Sequence, residues 1–186
     1  MMKKAALGIL AAAALAGCVT SSGPKYNIIN PYDFFQRYAR GGQFPVMVAG
    51  QPYAGRQPAV EAAVIDGFER TFTQYGKALR ITPVANEPYG RWVVVFNLPG
   101  RPGGNEICAN SVGLARGAGG VAGEIVHASA AFCAGNEHFS SAWVSFPNPG
   151  SPDSLEFRDA MMRLVMESVP RDDDPSHRCC NEPRIP

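Results

Sequence analysis

The sequence predicts an α+β fold, with an antiparallel sheet of four to five strands and three helices packed on it. Three observations carry that expectation. Residues 92–98, WVVVFNL, form a near-continuous β-rich run, as expected for a central strand buried on both faces. Residues 124–133 and 139–146 are two more strand-like stretches, joined through Gly135-Asn136, which suits a hairpin. Val60, Val64, Phe68, Phe72 and Tyr75 recur at spacings of four and three, the stripe of an amphipathic helix.

The remaining elements follow in order. Asn30-Pro31 reads as an N-cap with proline at the first helical position, and Gly41-Gly42 ends that helix. Its Tyr32, Phe34, Phe35 and Tyr38 lie beside Arg37 and Arg40; aromatics at helical spacing are more often core than a membrane-proximal surface. Pro45 to Gly50 is a brief apolar piece, read as a candidate edge strand. Pro58 opens the striped helix and Gly76 closes it; Leu79 to Val84 is a further strand. From Pro99 to Gly123 the glycine content points to a long loop around NEICAN. Ser151-Pro152-Asp153 starts a last helix, whose Leu155, Met161, Met162, Val165 and Val169 form an apolar face up to Pro170. Residues 18–28, polar from Ser21 to Lys25, read as a tether, residues 29–170 as one α+β domain, and residues 171–186, RDDDPSHRCCNEPRIP, as a disordered tail.

The first residues address the chain. Lys3 and Lys4 precede an apolar run from Ala5 to Leu15, 11 residues long. A membrane-spanning helix needs about 20, so the run has the proportions of a secretory signal rather than a span. The alternative, a buried N-terminal helix, fits its ending poorly. Leu15-Ala16-Gly17-Cys18 resembles the lipobox of bacterial lipoprotein precursors. That resemblance implies cleavage after residue 17, a diacylglycerol thioether on Cys18 and an acylated amine. Val19 follows, where aspartate would suggest retention at the inner membrane, so the expected location is the periplasmic face of the outer membrane.

Charge excludes one class of partner. The chain has 17 basic and 16 acidic side chains, and losing Lys3 and Lys4 leaves 15 against 16. Nothing there attracts nucleic acid. Of the 5 cysteines, four follow Cys18, and an oxidising compartment favours their pairing. Cys108 and Cys133 are the expected disulfide, pinning the glycine-rich segment to the sheet; no CxxC spacing supports a redox role. Cys179 and Cys180 are sequence neighbours that rarely bridge each other. Beside His177 they could hold a soft metal ion, but a four-ligand zinc pattern is missing, and an incidental or intermolecular disulfide is the plainer reading.

Catalytic signals are weak. His127 alternates with Ser129 on one strand face, with Glu124, Glu137 or His138 as candidate partners, but no G-x-S-x-G elbow occurs. Residues two apart on a strand are about 6.5–7 Å apart, too far for a direct serine–imidazole bond. GAGGVA, Gly117 to Ala122, fits a dinucleotide fingerprint in letters but stands before a strand instead of a helix, so it reads as a loop. The VVVFN strand, the cysteine loop, the AAFC strand and the SPDSLEFRDAMMRL helix together resemble small exported proteins of alphaproteobacteria, a resemblance that brings no catalytic motif. The expectation is a non-catalytic cell-envelope lipoprotein, joined to the membrane through Cys18 and acting on an envelope partner, with no cofactor or metal. The rival readings are a periplasmic hydrolase using His127 or His138, and metal handling by the His177/Cys179/Cys180 tail.

Overall fold

The computed structural model describes residues 19–22, 25–26, 35, 37, 43–74, 80–83, 90–117 and 120–168. Residues 1–18 with Cys18, most of the first expected helix, and residues 169–186 with His177, Cys179 and Cys180 lie outside them. The described residues form the expected α+β fold. In chain order these are β1 (Thr20–Ser21), β2 (Lys25–Tyr26), β3 (Gln43–Ala49), α1 (Gln57–Gln74), β4 (Arg80–Pro83), β5 (Arg91–Phe96), α2 (Gly104–Gly117), β6 (Ile125–Ala134), β7 (Glu137–Pro147) and α3 (Leu155–Ser168). The sheet runs β1-β7-β6-β5-β3-β4, with β2 also on β7. It is mostly antiparallel, but β3 is parallel to both β4 and β5.

Helices cover both faces. α1 and α3 pack on one, and α2 on the other. Every residue of β5 is buried, as its unbroken apolar run requires. On the α1/α3 face, Trp92 is ringed by Phe44, Phe68, Phe35, Phe72 and Phe132 at centroid distances of 4.6, 5.1, 5.5, 5.7 and 5.8 Å. Phe157 of α3 meets Phe96 and Phe146 at 5.8 Å each. α1 and α3 approach closely at Gly67, where a Cβ would stand 2.8 Å from that of Met161.

Three expectations need correcting. β3 is internal, flanked by β4 and β5, and β4 is the edge. Its pairing is staggered: Gln43 to Val46 pair with β4, while β5 joins only from Val46 onward. Pro45 therefore has one strand neighbour, and its missing N–H breaks no ladder on the other side. The glycine-rich segment is a helix over most of its length, with Ile107 and Cys108 buried against the sheet. Tertiary burial and the disulfide outweigh its poor helix propensity. The tether is docked. Thr20 and Ser21 pair with Ser145 and Val144, and Lys25 and Tyr26 with Ser141 and Ser140. Ser22 N–H donates to the Trp143 carbonyl at 3.0 Å, Trp143 N–H to Ser22 Oγ at 3.1 Å, and Arg163 Nε to Ser21 Oγ at 3.2 Å.

Candidate functional site

α2 is too short to cover its whole face of the sheet. Met47, Ala49, Val93, Val95, Ala131 and Cys133 lie in a core with Ile107 and Cys108. The β6–β7 half of the face is polar instead, with the cross-strand pairs His127–Ser145, Ser129–Trp143 and Ala131–Ser141. This polar half is produced by a β-bulge. Phe132 faces Ser140 and Cys133 faces His138, so Phe139 is the extra residue. Without it, His127 would face Val144, and Trp143 and Ser145 would turn into the core.

The bulge brings together a pair that reasoning along one strand misses. His127 Nδ1 and Ser145 Oγ share a hydrogen bond at 2.7 Å, whereas Ser129 has no such bond to His127. His138, the other candidate, is held elsewhere. Its Nδ1–H donates to Asn105 Oδ1 at 2.6 Å and its backbone N–H to the same oxygen at 3.1 Å. Burial pushes the His138 imidazole below its ordinary value of 6.5. Gly104, first residue of α2, admits no Cβ because the His138 ring occupies that space. The two histidines are not brought together, and neither makes a hydrogen bond or ion pair with a carboxylate among the described residues. No group of three His, Cys, Asp or Glu able to hold a metal ion is assembled there either.

Two hollows open on this face and share Arg101. One, of about 580 Å³, is lined by Asn97, Leu98, Pro99, Val121, Ile125 and His127 among others. The second, of about 410 Å³, takes in Lys25, Ser129, His138, Ser141 and Trp143, beside the first residue of α2. The Arg101 guanidinium stands 4.1 Å above the Trp143 ring, a cation–π contact that forms the ridge between them. Asn97 and Arg101 are the only non-glycine residues with positive φ among those described, at 51° and 52°. Strain of this kind, about 1–3 kcal/mol for each such residue, gathers at working sites. Asn97 has a further reason for its conformation, since its side chain extends the sheet. Its N–H donates to the His127 carbonyl at 2.8 Å, its Oδ1 accepts from His127 N–H at 2.9 Å, and its Nδ2 donates to Gly120 O at 3.1 Å. Sequence reading singled out neither Asn97, Arg101, Trp143 nor Ser145. Asn97-Leu98-Pro99-Gly100 after a buried strand was the available turn signal.

The expected disulfide between the two cysteines of the folded region is present. Cys108 and Cys133 are bonded at 2.00 Å, with Cα atoms 5.5 Å apart, tying α2 to β6. The buried Arg91 donates from Nη2 to the Cys108 carbonyl at 3.0 Å and adds a second tie.

No family model and no curated protein matches the sequence. Among solved structures, two of the PelC dodecamer from Paraburkholderia phytofirmans, one a point variant, are similar to this chain. Their TM-scores are 0.39 and 0.38, at 8% and 9% identity, over 83% of this chain and 99% of theirs. Likeness at that level identifies neither a site nor a partner.

Proposed function

We propose that the chain is a lipid-anchored protein of the cell envelope, held by acyl chains on Cys18 at the periplasmic face of the outer membrane and acting by binding or assembly. The observation that carries this reading is the Leu15–Cys18 box, which ends two residues before Thr20, the start of a segment paired to the sheet edge. Three acyl chains, at about 0.8 kcal/mol per buried methylene, would make attachment firm. The open face supports binding. Lys25 and Arg101 supply positive charge, Ser129 and Ser141 hydroxyls, and Trp143 an aromatic surface, a set suited to an anionic or hydroxyl-bearing group.

One observation favours a second reading, a serine hydrolase built on His127 and Ser145. The pair is within hydrogen-bond reach, but Ser145 sits mid-strand between β6 and β1. Its backbone is engaged in the sheet rather than exposed on a turn beside free N–H donors, which acyl transfer requires. Binding is therefore the better-supported reading.

The test is Cys18→Ser in the producing cell. We expect loss of the acylated Cys18 peptide by mass spectrometry and release of the domain from the membrane fraction, or persistence of an uncleaved precursor. Normal processing and unchanged membrane fractionation of that variant would overturn the reading.

A further inference from the structure

We propose that the end of the domain from which the anchor leaves is a bilayer-contacting face, with Val121, Ile125 and Leu155 entering the headgroup region around Cys18. The proposal rests on lipidation of Cys18. Val121, Ile125 and Leu155 are the exposed large hydrophobic side chains among the described residues, at 62%, 51% and 72%. Exposed apolar residues scattered singly need no explanation, but these three converge on one end.

The strand pairing places them. Followed back toward Cys18, β1 runs from Val144 to Ser145, and so toward the Pro147 end of β7. Ile125 is the direct partner of Pro147. Val121 belongs to the adjoining segment, where Asn148 Nδ2 donates to Gly123 O at 2.8 Å and Asn148 N–H to Glu124 O at 2.8 Å. α3 starts at the same end and runs back along β7. Its early Phe157 meets Phe146, while its last residue, Ser168, accepts at its carbonyl from Ser140 Oγ at 2.6 Å. Leu155 thus rises on the α1/α3 side of the sheet, and Val121 and Ile125 on the side of the hollows.

Covalent geometry then fixes the occupant. Val19 packs against the core and is one peptide bond from Cys18, so the Cα atoms are about 3.8 Å apart. Acyl chains on Cys18 leave no slack for a protein to slip between this end and the bilayer. Interfacial side chains bury to about 5–10 Å, deep enough for three apolar side chains around such an anchor. Charge does not compete with this. Among the described residues at this end Glu124 and Glu156 are exposed, Arg56 is paired with Asp153 at 2.6 Å and Arg101 stands alone in the hollow with Val121 and Ile125, so no basic cluster is assembled there to select anionic lipid.

The test is photo-crosslinking in the full, processed protein, with a benzophenone amino acid placed singly at Val121, Ile125 or Leu155. Asn136, at the opposite hairpin tip, serves as the control. We expect adducts carrying the mass of one phospholipid at the three positions and none at Asn136, with Cys18 acylated in every variant. Adducts to a protein at the three positions would overturn the proposal and identify a partner surface. Membrane-bound, acylated protein without lipid adducts would overturn it while leaving lipidation intact. Protein that is soluble and not acylated at Cys18 would overturn both.

Discussion

Reducing the Cys108–Cys133 bond should weaken the domain by an amount that can be worked out beforehand. The bond closes a sequence separation of 25 residues. The chain-entropy relation assigns a loop of that size about 3.5 kcal/mol at 25 °C, because the reduced unfolded chain regains the freedom the bridge removed. The folded state loses less. Ile107 remains buried at 1% exposure, worth about 1.5–3 kcal/mol for a side chain of its size, and Arg91 still holds the Cys108 carbonyl. The reduced domain should therefore stay folded but unfold earlier. With a urea slope of about 2 kcal/mol/M, its midpoint should fall by about 1.7 M. The assay is urea unfolding with and without reductant, followed by fluorescence of Trp92, which is fully buried among aromatic rings. A Cys179→Ser/Cys180→Ser background removes the tail thiols from the comparison. A midpoint shift below about 0.5 M would refute the reasoning, since the bridge would then restrict little of the unfolded chain.

Further expectations concern single side chains. Tyr53 is buried with its hydroxyl unpartnered among the described residues, and burial pushes its phenol up to about 12 against the opposing pull of Arg56. Tyr53→Phe should therefore raise stability, by about 1 kcal/mol, and a drop in the urea midpoint would contradict the unpaired hydroxyl. His138 has a lowered pKa in the fold, so its contribution is full above 6.5 and is lost as pH falls through that value toward the lower folded one. Compared with His138→Gln, the parent protein should lose stability more steeply on acidification; parallel pH profiles would sink the assignment. Ser145 should resist labelling by a fluorophosphonate, and a covalent adduct mapped to Ser145 that His127→Gln abolishes would establish the hydrolase reading instead.

How far the fold was legible depended on whether local signals agreed with packing. The β5 run and the α1 stripe were readable because their periodicity and their burial coincide. α2 was not, because Gly103-Gly104, Gly113 and Gly117, with Asn105, Asn110 and Ser111, mask the helical spacing of Ile107, Cys108, Val112 and Leu114. What makes it a helix is the sheet beneath it and the bridge to β6, neither of which is local. The candidate site was obscured by a single residue. Along β7 the apolar positions that enter the aromatic core are Phe139, then Ala142, Val144 and Phe146, with Trp143 turned away from it, a change from odd to even that a regular strand cannot satisfy on one face. That break in alternation was the trace of the bulge. Reading it places His127 opposite Ser145 and turns Trp143 toward Arg101; ignoring it leaves His127 with only Ser129, too far away along its own strand. The polar open face and the packed aromatic face thus have one origin, since the extra residue that sends Val144 and Phe146 into the core also sends Trp143 and Ser145 out of it.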